Sequence, residues 1–295
     1  MAAVVAIAEL DEDRVVEGTF AVARKQRLRT RSGRPYLALE LVDATGRMDA
    51  RVWHDVEVLD HRFGEGDTVR VLGRVERFRE RLQLEVRALE PAPDVDPASL
   101  APAARRDLDE LDGFLDFLGA EIAHPGLAAV VGRFLDDAAF RSRLRKLPAT
   151  PDGHHGYAGG LLEHTVAVAT LCREATQIHA RLRSDLVLAA ALLHDAGRSE
   201  ELGAAPLFLP TPEGALLGHV HLGLRLIEAR ASALPGDLRA ELLHAVASHH
   251  DARAARTAEA AVLYHANQLD AVAATRSVSP ESASASSETA SGTSR

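Results

Sequence analysis

Eleven of the 14 histidines lie between His154 and His265. Within that stretch stand His164, the adjacent pair His194-Asp195, His219 and the adjacent pair His249-His250, followed by Asn267 and Asp270 on one polar helix face. Leu192-Leu193-His194-Asp195-Ala196-Gly197 sets an imidazole and a carboxylate at the end of an apolar run, just before a glycine. Burying that pair without partners costs several kcal/mol, whereas a divalent cation satisfies both groups. A lone histidine is more often packed or solvated, and His179, His244 and His265 are read that way. The one cysteine, Cys172, excludes an intramolecular disulfide and a cysteine-built zinc site.

A second set of candidates lies near the N-terminus. Arg24, Lys25, Arg27, Arg29, Arg31 and Arg34 follow one another without an intervening acid. Tyr36 and Trp53 share the polar-face parity of nearby strands with Arg47 and Arg51. Arginines for phosphates and aromatic rings for bases are the equipment of single-stranded nucleic-acid binding. A solvated charged face, with Trp53 packed under a loop, accounts for the same residues, and the sequence leaves both readings open.

The elements that must position these groups fall into two parts. From Val15 to Leu89 apolar residues alternate with polar ones, the mark of strands with one buried face. Leu37, Leu39 and Leu41 share a face, as do Met48, Ala50 and Val52, then Val69, Val71 and Val75, then Leu82, Leu84, Val86 and Ala88. Phe20 shares the parity of Val16 and Val22 and is read as core. Five strands with turns at Asp43-Ala44-Thr45-Gly46 and Gly64-Glu65-Gly66-Asp67 suit a small closed barrel of the OB type. Pro91-Ala92-Pro93-Asp94-Val95-Asp96-Pro97 reads as a linker. Helices are expected at 108–118, 127–135, 138–144, 160–180, 185–196, 216–232, 238–249 and 258–274, the later ones converging side chains as metal-binding helix bundles do.

The expected fold is therefore multidomain. It has an N-terminal tail at 1–11, an all-β barrel at 12–90, a linker at 91–107, an all-α bundle at 108–275 and a disordered Ser/Ala/Thr-rich tail at 276–295. Residues 12–90 carry 16 Lys+Arg against 15 Asp+Glu, while the whole chain has a net charge of -9. That balance excludes a uniformly basic nucleic-acid binder but not a local basic surface. With one cysteine, no basic n-region before Asp11-Glu12-Asp13 and no long apolar run, a cytoplasmic home without membrane contact is expected.

His164, His194-Asp195 and a late acidic position resemble the H…HD…D pattern of the HD-domain metal-dependent phosphohydrolases. Pro151-Asp152-Gly153-His154-His155-Gly156-Tyr157-Ala158-Gly159-Gly160-Leu161-Leu162-Glu163-His164-Thr165, then Gly218-His219, then Ser248-His249-His250, look like the YhaM-type 3′→5′ exoribonucleases, in which an OB-fold precedes an HD domain. The likeness extends to Arg34-Pro35-Tyr36-Leu37, Asp43-Ala44-Thr45-Gly46, Gly66-Asp67 and Leu82-Gln83-Leu84, and so covers residues 14–275.

This resemblance implies two metal ions. His164, His194 and Asp195 would hold the first, and Asp195 would bridge to a second held by His219, His249 and His250. Imidazoles with a carboxylate suit Mn²⁺, the first expectation, or Fe²⁺, Co²⁺ or Zn²⁺, better than oxygen-preferring Mg²⁺. Asp195 and Arg198 would be the catalytic pair, with Arg198 standing where many members have a phosphate-holding lysine. The chain departs from the pattern in Ala266-Asn267-Gln268-Leu269-Asp270, where Asn267 takes the expected ligand position and Asp270, one turn on, is the nearby carboxylate. After His249-His250 it has Asp251 and a shortened connection rather than glycine and a longer loop.

The implied activity is metal-dependent 3′→5′ hydrolysis of single-stranded RNA, with single-stranded DNA as an alternative substrate and self-association left open. The rivals are a phosphohydrolase of nucleotides or small phosphoesters, and an RNA-binding protein whose metal site has decayed at Asn267. A cyclic-dinucleotide phosphodiesterase fits poorly, because no Gly-Tyr-Pro follows His249-His250-Asp251.

Overall fold

Alternating side chains sort the first 90 residues into an inside and an outside. The structure, a computed structural model, describes residues 6–275 apart from Glu80, Arg105, Asp152 and Pro206. The tail expected to be disordered, and Asp152 of the histidine motif, lie outside the described residues. Strands β1 (Val15–Arg29), β2 (Pro35–Asp43), β3 (Gly46–Val52), β4 (Thr68–Phe78) and β5 (Arg81–Pro91) close into a barrel in the order β1-β2-β3-β5-β4. All pairs are antiparallel except β3 with β5. Val16, Phe20, Val22, Leu37, Leu39, Leu41, Ala50, Val71, Val75 and Leu84 fill its core, as the alternation predicts.

Two bulges break the alternation. In β5 the register slips opposite Leu72/Gly73, so Ala88, expected inside, is exposed and Leu89 is buried instead. In β1 it slips between Val22 and Arg24, which puts Lys25 opposite Leu39 and Arg27 opposite Leu37, on the inward parity. A bulge adds one residue to one strand and thereby exchanges the faces beyond it.

The barrel's core extends past its strands. The short helix α1 (Val56–Asp60) contributes Val56 and Leu59, and Phe63 follows it. At the other end of the sequence, Ile7 and Leu10, within the stretch expected to be a tail, belong to the same core. The Ile7 N–H donates to Asp43 Oδ2 at 2.7 Å, tying this segment to the β2–β3 turn.

Beyond a 3₁₀ turn (Pro97–Leu100) the chain is helical: α2 (Leu108–Ala120), α3 (Pro125–Leu135), α4 (Ala138–Lys146), α5 (Gly160–Ile178), α6 (Ser184–Leu193), α7 (Arg198–Glu201), α8 (Pro212–Arg230), α9 (Gly236–Ala247) and α10 (Ala258–Thr275). Asp107, Asp137 and Thr211 cap α2, α4 and α8 by accepting from the first-turn N–H groups. His124 caps α3 through Nδ1, with Pro125 opening the helix. From Leu186 to Leu193 every residue of α6 is buried, so this helix is the axis on which α5, α9, α10, α3 and α2 pack. An apolar axis ending in His194-Asp195 carries those two groups into the middle of the bundle.

Candidate metal centre

Four helical segments deliver polar side chains to the end of α6. His164 comes from α5, His194 and Asp195 from the turn after α6, His219 from α8, and His249 and His250 from the end of α9. His164, His194 and His249 are fully buried, and Asp195 is 4% exposed. Two glycines allow this convergence. A Cβ on Gly197 would lie 1.9 Å from the His219 carbonyl oxygen, so α8 approaches this closely only because residue 197 has no side chain. Gly218 adopts φ 70°, ψ 161° inside α8, and the kink sets the direction of His219.

The imidazoles are oriented from behind. His194 Nδ1 donates to the Ala191 carbonyl at 2.7 Å, and His249 Nδ1 donates to the Val246 carbonyl at 2.6 Å. His164 Nδ1 donates to Asp270 Oδ2 at 2.6 Å. Each contact places the ring proton on Nδ1 and leaves Nε2 as a bare lone pair facing inward. The Nε2 atoms of His164 and His194 then face each other at 3.1 Å, two acceptors with no donor between them.

Asp195 divides the inward atoms into two sets. Its Oδ2 lies 3.9 Å from His164 Nε2 and 3.8 Å from His194 Nε2. Its Oδ1 lies 3.3 Å from His219 Nε2 and 3.5 Å from His249 Nε2, and His250 Nε2 is 2.9 Å from His219 Nε2. Asp195 Oδ1 and His249 Nε2 are buried without a hydrogen-bond partner. These orphaned lone pairs lie in one set and the opposed acceptors of His164 and His194 in the other, each set within 4.8 Å, and a divalent transition ion would satisfy either.

Electrostatics keep these groups in ligand form. Burial lowers His194 to about 3, with the neighbouring imidazoles adding to it. Burial likewise lowers His250 to about 4, reinforced by His249. Burial alone would raise the Asp195 carboxyl, but His194, Arg198 and His219 overcome it and hold the group well below the usual carboxylate range. Neutral imidazoles and an ionised carboxylate are the protonation states a metal needs.

The remaining predicted site residues fall elsewhere. Asp270 stands behind His164 rather than among the inward atoms: its Oδ2 is bonded to Nδ1, on the far side of the ring from Nε2, and with His155 and His164 it forms a third group of donor atoms within 4.8 Å of one another. Asn267 is buried, and its amide nitrogen donates to the His249 carbonyl at 3.2 Å, a bond an ionised aspartate could not make. Arg198 is committed inside the protein. Its Nη1 donates to Glu201 at 2.6 Å, while its Nε faces Asp195 Oδ2 at 3.7 Å without a hydrogen bond.

Spacing did not reveal the support behind His164. His155 Nε2 is 2.9 Å from the same Asp270 oxygen, and its Nδ1 is 2.8 Å from the Tyr157 hydroxyl, which donates to Glu163 at 2.8 Å. The only signal was the histidine-rich run Gly153-His154-His155-Gly156-Tyr157 itself. The neighbouring His154 ring lies 4.8 Å from that of His164, and burial lowers it to about 4.

On the barrel, Tyr36 and Trp53 stack with centroids 4.7 Å apart and planes 30° apart, and Arg34 donates to the Trp53 carbonyl at 3.1 Å. Arg24 and Arg31 are exposed, Arg29 donates to the Gly33 carbonyl and Arg51 to the Ala50 carbonyl. Lys25 leaves the candidate surface. Its ammonium, on the inward parity, is bound to the Asp60 and Phe63 carbonyls and lies 4.5 Å over the Phe63 ring. Arg27 pairs with Glu57 and Asp60 on the same helix.

Residues 161–272 match the HD domain family, and residues 18–92 match an OB-fold nucleic acid binding domain family. Fold and site thus define a class, an HD-domain hydrolase carrying an N-terminal OB-fold barrel. A 3'-5' exoribonuclease YhaM from Shouchella clausii is 30% identical over 244 residues, covering 80% of this chain and 75% of the relative. Proteins of the same name from Oceanobacillus iheyensis and Bacillus subtilis are 28% and 26% identical, covering 79% and 81% of this chain and 75% and 79% of their own lengths. The chain belongs to the YhaM exoribonuclease family. Among the described residues no helix is long and apolar enough to cross a membrane.

Proposed function

We propose that this protein is a metal-dependent exonuclease that removes nucleotides from the 3′ end of single-stranded RNA, using two ions bridged by Asp195. The observation that carries the reading is the position of Asp195, whose two oxygens face two different sets of imidazole nitrogens. His164 and His194 with Asp195 Oδ2 would hold one ion; His219, His249 and His250 with Oδ1 would hold the other. When bound, such a pair supplies a water acidified to near neutrality and a clamp on the phosphodiester oxygens. A nitrogen-rich donor set with a single carboxylate favours a transition ion, among Mn²⁺, Fe²⁺, Co²⁺ and Zn²⁺, over oxygen-preferring Mg²⁺.

The chain's own residues supply the rest. Backbone carbonyls and Asp270 hold the rings in one orientation, so the donor atoms are arranged before any ion arrives. Glu201 links Arg198 to α8: its Oε1 accepts from the His219 backbone N–H at 3.1 Å while its Oε2 accepts from Arg198 at 2.6 Å. The barrel offers the stacked rings of Tyr36 and Trp53 to the bases of a single strand. The 3′→5′ direction and the preference for RNA rest on kinship with the exoribonucleases.

The test is a time course on end-labelled single-stranded RNA and DNA with Mn²⁺, Mg²⁺ or chelator, using wild-type protein and Asp195→Ala. Shortening of the RNA from its 3′ end, dependent on a transition ion and lost in Asp195→Ala together with metal content, is the expected result. Full hydrolysis by the chelated protein or by Asp195→Ala would remove the metal mechanism, and hydrolysis of mononucleotides alone would replace the substrate.

A further inference from the structure

We infer that the cleft between the barrel's β2–β3 turn and the loops beside the metal centre grips the backbone of the strand next to its scissile end, with Arg47 on a phosphate. The inference rests on the exonuclease reading and names where its substrate enters. Arg47 of the barrel and His154 of the helical region line one cavity of about 500 Å³, within the usual size range of small-ligand sites. One layer behind that lining is the first histidine set: the His154 ring lies 4.8 Å from that of the buried His164.

A second observation sets the direction of approach. Arg47, Asp49 and Arg51 alternate on the outward face of β3, and Trp53 follows the strand with the same parity. At about 3.3 Å per residue, the strand separates the Tyr36–Trp53 stack from Arg47 by about 20 Å. A single strand stacked on the rings and laid along β3 would therefore reach Arg47 and then the cleft. The floor is apolar: Phe208, 3% exposed, lines this cavity and its neighbour behind the β2–β3 turn. Phe208 is held at φ 50°, a backbone conformation bulky residues rarely adopt and one that is concentrated at functional sites.

The charges on this face limit the claim to Arg47. Asp49 stands midway along β3 beside Arg51, and Glu40 pairs with Arg47 at 3.2 Å. The Arg47 side chain is 48% exposed, and at that exposure its pair with Glu40 contributes little. An arginine bound to phosphate releases counterions, so its contribution appears in the salt dependence of binding.

The experiment measures binding of a fluorescent single-stranded RNA to the full chain in chelator, across a salt series. Arg47→Ala is expected to weaken binding about tenfold and to lower the slope of log K against log salt by about 0.7. Arg47→Lys should recover most of that slope. Arg74→Ala, which removes an arginine paired with Asp13 elsewhere on the barrel, is the charge control and should bind as wild type. Overlay of Arg47→Ala on wild type overturns the inference, as does an equal loss in Arg74→Ala. Wild-type hydrolysis with Mn²⁺ is scored separately, so failure of the exonuclease reading is distinguishable from failure of the cleft.

Discussion

Asp270 and Asn267 show how one turn of helix separates two jobs. Asp270 accepts from His164 Nδ1 and His155 Nε2, so in the proposed centre it would fix the His164 ring from behind. Partners of this kind, when removed, cost about 10–100-fold in metal affinity. Asp270→Asn is therefore expected to weaken Mn²⁺ binding by that range, measured by titration, rather than to abolish it. Asn267→Asp replaces a donor to the His249 carbonyl with a carboxylate, leaving a buried acceptor unpaired. The metal-free variant should lose about 1–3 kcal/mol of stability. If residue 267 also contacts the first ion, excess Mn²⁺ will restore the melting temperature; a deficit that persists at saturating Mn²⁺ assigns Asn267 to holding the His249-His250 corner alone.

Among the elements, the barrel's cap and the α7–α8 contact carry separable consequences. Lys25 ties β1 to α1 through two backbone carbonyls, so Lys25→Ala should lower the melting temperature while leaving the salt slope of RNA binding unchanged. A matching loss of slope would return Lys25 to the nucleic-acid surface. At Gly197 an added methyl meets the His219 backbone, which cannot move without moving a ligand. Gly197→Ala should cost about 1–3 kcal/mol or more and weaken the second histidine set in a metal titration. A variant with wild-type melting and metal uptake would show that α8 can shift freely.

At the scale of the whole molecule, the histidine cluster makes the metal-free fold sensitive to acid. His194 titrates at about 3, and His154 and His250 at about 4, all below the ordinary value near 6.5. Between those limits the unfolded chain binds protons that the folded chain refuses, so stability rises with pH in this window and falls as pH drops from about 6.5 toward 4. Asp195 and Asp270 are held below the usual carboxylate range, so they weaken the fold only below about pH 4. In chelator, the melting temperature should be lower at pH 5 than at pH 7. Equal melting temperatures at the two pH values would mean that the cluster is solvated when empty.

The sequence by itself determined most of the barrel's apolar inward residues, the order of the long helices and the place of His194-Asp195, because alternation, helical periodicity and an apolar run ending in that pair are local; the other histidines of the centre came from the resemblance to the HD-domain phosphohydrolases. Only the tertiary structure decided which face Lys25, Arg27 and Ala88 occupy, since a bulge reverses parity and leaves no mark in composition. It also decided that Asp270 sits behind His164, 106 positions away in sequence, because the side of an imidazole that meets a partner depends on how α5 and α10 pack. The placing of Arg47 beside His154 belongs to the same kind: no spacing within either part of the chain relates the barrel's turn to the loop before α5.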